Sequence, residues 1–160
     1  MPRVSTYLNF AGDAAEALAF YGKVFGTEVR TPIVRMGDMA DDPSAPPLSE
    51  AERGYVMHAE LPILAGHVVM ATDMLPSRGH VRRIGNNTTI NLELEDRAEA
   101  ERIFELLADG ASERVGLADM PWGAYWGTCL DRHGIRWMVN CATPASSATP
   151  ATPAPPGDGA

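Results

Sequence analysis

Apolar residues recur at helical spacing in two stretches of the chain that resemble one another. The first runs from Asp13 to Gly26 and the second from Asp96 to Gly110. Each opens with Asp-x-x-Glu, where the Asp is expected to cap a helix and the Glu to reach back toward it. Each ends near a glycine that suits a left-handed cap. The matching apolar residues are Ala17, Phe20, Tyr21 and Val24 in the first stretch, and Ala100, Ile103, Phe104 and Leu107 in the second. The pattern predicts two copies of one unit.

Segments rich in β-forming residues surround each predicted helix. In the first of them, Leu8 and Phe10 share one face while Tyr7 and Asn9 share the other, which is typical of a strand with one buried side. Pro32 indicates an edge strand or a bulge. The predicted strands are 4–10, 28–35, 55–61 and 67–72 in the first unit, and 88–95, 112–115, 125–130 and 135–141 in the second. Each unit therefore reads strand, helix, then three strands.

This order of elements predicts an α+β fold of two βαβββ modules. We expect a half-open mixed β-barrel with its helices outside, and its concave face is the natural ligand site. The predicted domain covers residues 1–141, divided into module one (1–73), a bridge (74–87) and module two (88–141). Residues 142–160 consist mainly of Ala, Thr, Pro, Ser and Gly, a composition that predicts a disordered tail.

Between the second and third predicted strands, residues 36–53 read as a loop that we call the insertion. It contains three prolines and five acidic residues. The acidic residues lack the fixed spacing of an EF-hand loop, so a solvated loop is favoured over a cation site. We interpret the insertion as a mobile segment placed to close over a site.

Charge and composition remove several function classes. The chain has 160 residues and a formal net charge of −8, without a Lys/Arg-rich run. Nucleic acid and anionic membrane surfaces are therefore poor partners. No apolar run approaches the roughly 20 residues of a membrane-spanning helix, so we expect a cytoplasmic protein. The two cysteines, Cys129 and Cys141, lack metal-site spacing and are expected to be buried apolar residues.

The repeated module and several short motifs resemble the vicinal oxygen chelate superfamily, which includes glyoxalase I, bleomycin-resistance proteins and extradiol dioxygenases. The stretch from Tyr7 to Gly26 carries the general likeness. Four later motifs are similar to the PhnB-like branch: Met57-His58-Ala59-Glu60-Leu61, Met70-Ala71-Thr72-Asp73, Trp122-Gly123, and Asp131-x-x-Gly134-x-x-Trp137-Met138-Val139-Asn140. Members of that branch have been labelled 3-demethylubiquinone 3-methyltransferases. The chain gives this activity no support, because no strand leads into a Gly-x-Gly-x-x-Gly turn.

The resemblance also implies where a metal would be held. In metal-dependent relatives four side chains, typically His and Glu, hold a divalent ion that polarises paired substrate oxygens. The matching positions carry Ser5 or Thr6, Thr89, Met138, and Met70 or Thr72. Hydroxyls and thioethers do not replace imidazole and carboxylate for such ions. We therefore expect an empty metal site and no cofactor.

Among the histidines, His58 stands out because it lies two residues before Glu60 on a predicted strand, so both face the same way. The pair is either an acid/base or hydrogen-bonding pair in the cavity, or a structural pair beside the sheet. Both interpretations remain open. His67, His80 and His133 fall in turns or the bridge and are expected to be solvated.

The aromatic residues are concentrated late in the chain. Trp122 and Tyr125, with Tyr7, are enough for an apolar wall around a flat ligand, although packing in a core or a dimer explains them equally. Trp137 is expected to be packed in the core. The full set of candidate ligand-binding residues is Tyr7, Asn9, His58, Glu60, Met70, Asn91, Trp122, Tyr125 and Met138.

Two functions follow as hypotheses, and no catalytic residue is assigned. The favoured one is a metal-free protein that binds a small hydrophobic or aromatic molecule in the concave cleft. Because the antibiotic-sequestering relatives bind ligands in crevices between two chains, the resemblance implies a homodimer. The alternative is a divalent-metal-dependent lyase or isomerase of the glyoxalase type, with a metal held by His58, Glu60 and an acid from residues 38–42.

Overall fold

Both predicted helices are present, and their buried faces are the apolar stripes of the two repeats. The computed structural model describes residues 2–142. Helix α1 spans Ala14–Phe25, the single turn α2 spans Glu50–Arg53, and α3 spans Arg97–Ala108. Residues spaced three and four apart are buried on each long helix, as an amphipathic helix against a sheet requires. None of the helices in residues 2–142 is long and apolar enough to cross a membrane.

Eight strands form two sheets of four. Their bounds are β1 Thr6–Phe10, β2 Arg30–Arg35, β3 Val56–Pro62, β4 Val68–Asp73, β5 Ile90–Leu94, β6 Glu113–Met120, β7 Ala124–Leu130 and β8 Arg136–Ala142. The strand orders are β1-β4-β3-β2 and β5-β8-β7-β6, and in each sheet the first pair is parallel while the others are antiparallel. The identical order confirms the duplicated βαβββ module, and Pro32 lies on an edge strand as predicted.

The strand bounds differ most from the prediction at β6, which is longer than the segment 112–115. It extends to Met120, and nearly all its residues are exposed. A register shift between Val115 and Ala118 interrupts its pairing with β7. An exposed edge strand with a bulge has no apolar alternation to detect. The predicted tail also begins one residue too early, because Ala142 still belongs to β8; residues 143–160 lie outside the described residues.

The N-terminus of α1 is capped by a residue that the sequence pattern did not indicate. Asp13 makes no side-chain bond to the first turn, so the predicted cap is wrong. Instead Asp73, at the end of β4, accepts from Gly12 N at 2.8 Å and from Ala14 N at 3.0 Å. In the second repeat, Asp96 caps α3 as predicted, accepting from Glu99 N at 2.7 Å.

One apolar core joins the two modules. The helix-facing sides of both sheets and the buried faces of α1 and α3 belong to the same cluster. Trp137 of β8 is fully buried, and its ring centroid lies 5.3 Å from that of Tyr21 on α1. The sheets do not close into a barrel. Because the helices occupy one side of each sheet, the opposite sides are left to carry function.

Candidate functional site

The open face of the first sheet brings several predicted ligand residues together. Tyr7 pairs with Met70 across β1 and β4, and Met70 pairs with Glu60 across β4 and β3. Side chains opposite one another in register point to the same side of a sheet. The ring of His58 lies 6.1 Å from that of Tyr7, and Asn9 follows Tyr7 on the same side of β1. Five of the predicted residues therefore share this face, which we call face one.

The insertion forms a wall beside face one. It begins with a turn of 3-10 helix, Met36–Asp38, and ends with α2. Each end is held to the body of the fold. Met36 N donates to Tyr55 O at 2.9 Å, and Glu52 accepts from Ser77 N of the bridge at 2.9 Å. Both anchors are hydrogen bonds to backbone groups, so they fix the path of the chain around the cavity.

A cavity of about 610 Å³ lies between the insertion and face one, and we call it the insertion cavity. Its volume is in the range of small-molecule sites. Most of its lining is apolar, and three methionines contribute to it. The lining includes Met36, Met39, Ala45, Pro46, Leu48, Tyr7, Met57 and Thr72. Methionine side chains adapt to ligands of different shape, so this wall suits an apolar molecule without strict geometry.

Sequence reasoning missed most of these lining residues. Of the nine candidates, Tyr7 alone lines the insertion cavity within the described part of the chain. The usable signal was the presence of Met36, Met39 and Leu48 among the acidic residues and prolines of the insertion, because a purely solvated loop has no need of large apolar side chains.

The hydrogen-bond partners of the Glu60 carboxylate are arginine side chains. Arg30 donates to it at 2.9 Å and Arg3 at 3.5 Å, while His58 Nε2 lies 3.6 Å away. The bond from Arg30 is the main reason that the pKa of Glu60 lies below its ordinary value. A carboxylate held in its charged form by two guanidiniums is a poor general base near neutral pH.

Two of the positions that match the metal ligands of relatives lie together in the first module, but they carry the wrong atoms. Ser5 Oγ lies 3.8 Å from Met70 Sδ. A hydroxyl and a thioether are weak ligands for the divalent ions concerned. Within residues 2–142, no three His, Cys, Asp or Glu side chains are grouped so that they could hold a metal ion. The residues present do not fit the family's metal.

The second sheet separates the remaining candidates. Asn91 and Met138 are paired on the open face of that sheet, in the positions that Tyr7 and Met70 occupy in the first. Tyr125 faces the other way, since its hydroxyl donates to Glu101 of α3 at 3.0 Å. Trp122 lies in the turn between β6 and β7 with 71% of its surface exposed. Tyr125 therefore packs against α3, and Trp122 is exposed to solvent.

His133 is not solvated, contrary to the expectation for its turn. It is buried, and its Nδ1 lies 3.2 Å from Asp13 Oδ2. The reason is tertiary, because the turn after β7 packs against α1. Both cysteines are buried as expected, and burial raises the pKa of Cys129 to about 11, so its thiol is protonated at neutral pH.

We expect the insertion to loosen in acid. Backbone N–H groups of Ser49 and Ser77 donate to Glu52 and lower its pKa to about 2, below the ordinary 4.5. A carboxyl with a lowered pKa contributes stability that is complete above its unfolded value and is lost as the pH falls toward its folded value. Hydrogen exchange of the amides at Ser49 and Ser77, corrected for intrinsic rates, should rise as the pH falls from 5 to 2.5. Equal protection across that range in the wild type would contradict the expectation, and Glu52→Gln should lose the dependence.

Comparisons with known proteins agree with this architecture. The model of the Glyoxalase/Bleomycin resistance protein/Dioxygenase superfamily matches residues 3–139. Protein YjdN of Escherichia coli K12 is 30% identical over 142 residues, covering 86% of this chain and 93% of that protein.

Two solved structures share the fold over nearly the whole chain. Protein PA1353 from Pseudomonas aeruginosa is 29% identical with a TM-score of 0.75, covering 90% of this chain and all of that one. A Bacillus cereus PhnB protein, titled a putative 3-demethylubiquinone-9 3-methyltransferase, is 25% identical with a TM-score of 0.69, covering 88% of this chain and all of that one. The family match over residues 3–139 agrees with the repeated βαβββ topology. The chain belongs to the glyoxalase/bleomycin resistance protein/dioxygenase superfamily.

Proposed function

We propose that this protein binds a small hydrophobic or aromatic molecule in the insertion cavity without a metal ion. The observation that carries the proposal is the cavity itself, about 610 Å³ and walled by Met36, Met39 and Met57 beside Tyr7. An apolar ligand of drug size buries most of its surface in a cleft of this volume. Tyr7 adds a flat amphipathic ring, 48% exposed, against which an aromatic ligand can pack.

The donor chemistry of face one supports a metal-free mode of binding. Ser5 and Met70 stand where metal-dependent relatives carry stronger ligands, and Thr89 and Met138 stand at the matching positions of the second module. Hydroxyls and thioethers are weak ligands for the divalent ions of those relatives, so these positions supply no ion to join the protein to its ligand. Recognition would therefore rest on shape and apolar contact.

The alternative, a glyoxalase-type lyase, would need a metal held by His58, Glu60 and a loop acid. Glu60 is engaged by Arg30 and Arg3 instead. The acids of residues 38–42 have other partners: Asp38 accepts from Arg35 N, Asp41 pairs with Arg53, and Asp42 accepts from Ser44 N. These contacts favour the binding function over the lyase.

We also propose that two copies of the chain pair through their open sheet faces. Within residues 2–142 no helix covers the open face of the second sheet, and Trp126 and Met138 on that face are half-buried. A partner would cover these side chains and bring the exposed Trp122 near a second surface. Sedimentation velocity at micromolar concentration should give a dimer, and a single monomeric species would contradict the pairing.

The test of the binding proposal uses a neutral apolar fluorophore and a variant that fills the cavity. N-phenyl-1-naphthylamine should bind the wild-type protein saturably, with one site per chain. Ala45 lines the cavity, so Ala45→Trp should weaken binding at least about tenfold by occupying the space that the ligand needs.

The matched control is Ala19→Trp, which adds the same side chain on the exposed side of α1. Its affinity for the fluorophore should stay within about twofold of the wild type, since surface substitutions away from a site have small effects. Unchanged binding in the Ala45→Trp variant would overturn the assignment of the cavity.

A further inference from the structure

A second cavity, of about 420 Å³, lies where the two modules meet. Its walls are residues 6–9 of β1, bridge residues between Val81 and Thr88, and residues 133–136 after β7. We call it the seam cavity. It has only Tyr7 in common with the insertion cavity, so its chemistry can be considered independently of the proposed function.

The lining of the seam cavity is positively charged in an acidic protein. Arg82, Arg83 and Arg136 contribute to it, and no Asp or Glu is among the residues that line it. The whole chain carries a formal net charge of −8. A cleft lined by one sign of charge concentrates the field within it, so an anion is the ligand that this cavity would attract.

Two of the three arginines pair with carboxylates that do not line the cavity. Asp13 pairs with Arg82 at 3.2 Å, and Glu113 pairs with Arg136 at 2.8 Å. Arg83 forms no ion pair within residues 2–142, and it is exposed. At least one full positive charge is therefore left uncompensated at the cavity.

Two residues of the lining each carry a buried nitrogen atom that has no hydrogen-bond partner among the described residues: Arg136 Nε and His133 Nε2. The His133 side chain is only 5% exposed. A buried polar atom without a partner costs about 1 to 3 kcal/mol, and such atoms in native structures usually meet a ligand or water. Both belong to residues that line the seam cavity.

The two unpartnered nitrogens require different hydrogen-bond partners. Arg136 Nε–H is a donor, which suits an anionic oxygen. His133 Nδ1 must donate to Asp13, because a carboxylate only accepts, so Nε2 of the neutral ring is an acceptor. An acceptor is satisfied by a hydroxyl of the ligand. Leu8, Ile84 and Ile135 in the same lining suit a carbon skeleton.

We propose that the seam cavity is a binding site for a small organic oxyanion, a phosphate or carboxylate, that also carries a hydroxyl group. Arg83 and Arg136 hold the anionic oxygens, and His133 Nε2 accepts from the hydroxyl. Guanidinium groups match the planar oxygen pairs of both anions.

Titration calorimetry with four probes tests the site: glycerol 3-phosphate, malate, succinate and neutral glycerol. We expect saturable binding of glycerol 3-phosphate or malate and none of glycerol, and whichever of the two binds more tightly identifies phosphate or carboxylate. Arg83→Gln should weaken binding of the preferred anion at least about fivefold, since charged hydrogen bonds are stronger than neutral ones. Arg114→Gln removes the same charge from an exposed pair with Glu105 and should leave affinity within about twofold. Absence of saturable binding by both anions, or equal losses in the two variants, would overturn the site.

The hydroxyl is tested separately. Malate should bind more tightly than succinate, which lacks the hydroxyl, by about fivefold for one neutral hydrogen bond. Nitrogen NMR of the wild-type protein should show the His133 Nε2 resonance moving on addition of malate and not of succinate. Equal affinities and an unmoved Nε2 resonance would remove His133 from the site.

Discussion

Replacing Asp131 with alanine is expected to lower the free energy of unfolding by about 4 kcal/mol or more, a large share of the stability of a small domain. Its buried carboxylate accepts four hydrogen bonds. Tyr21 OH donates at 2.6 Å and Trp137 Nε1 at 2.7 Å, while the backbone N–H groups of His133 and Ile135 donate at 2.8 and 3.0 Å. Alanine leaves all four donors buried and unpaired. Urea denaturation followed by near-ultraviolet circular dichroism measures the change.

Two milder variants separate the network from simple loss of volume. Asp131→Asn keeps the shape and one acceptor oxygen, so it should cost less than alanine. Tyr21→Phe removes one donor and should cost about 1 to 3 kcal/mol. Burial and Asp131 both raise the pKa of Tyr21. The stability that Tyr21 contributes is therefore complete below its unfolded pKa near 10 and is lost as the pH rises above that value. An alanine variant within about 1 kcal/mol of the wild type would contradict the role of Asp131.

Asp73→Ala is expected to cost about 3 kcal/mol or more, and clearly more than Asp13→Ala. Asp73 is 3% exposed and accepts from three backbone N–H groups. One is Ala14 N, the first residue of α1, another is Gly12 N just before the helix, and the third is Val56 N at 2.8 Å. The variant would therefore uncap the helix and free the start of β3 beside the insertion.

Asp13 is the informative control because it occupies the conventional cap position without capping α1. Its contacts are a bond from Ala11 N, a partly exposed pair with Arg82 and a pair with the buried His133. We expect Asp13→Ala to cost about 1 kcal/mol. Equal costs for the two variants in urea denaturation would show that the cap is shared.

The elements of this fold were predictable wherever one face is buried. The alternation of Leu8 and Phe10 with Tyr7 and Asn9, and the helical spacing in both repeats, record burial against a neighbour within the same module. Strand β6 shows no such alternation, because an exposed edge strand does not need an apolar side. Hydrophobic periodicity therefore detects the burial of a face and not the pairing of two strands.

The cap of α1 and the burial of His133 were missed for a different reason. Asp73 and Asp13 are both acids near the helix start in space, but only Asp13 is near it in sequence. His133 lies in a turn with every local mark of exposure and is covered by α1 from the other module. Contacts between distant parts of a chain leave no signature in a local pattern.

The strand pattern predicts that Tyr7 and Asn9 share one side of β1 and that His58 and Glu60 share one side of β3. Only the pairing of the strands shows that both pairs and Met70 lie on face one. The sequence suggested that the insertion closes over a site, but it did not indicate which insertion residues form the cavity wall, because loop residues follow no period. The motif residues Asp73, Asp131 and Trp137 prove to be structural, with their polar atoms engaged in the buried network or in caps.

We propose that the insertion cavity binds an apolar molecule and that no metal takes part. The most direct test is a fluorescence titration of the chelator-treated wild-type protein with N-phenyl-1-naphthylamine, repeated after zinc, nickel and manganese ions are added singly. We predict one saturable site per chain with an affinity that the chelator and the ions leave unchanged within about twofold. Absence of saturable binding, or binding that is lost with the chelator and restored by one of the ions, would contradict the account.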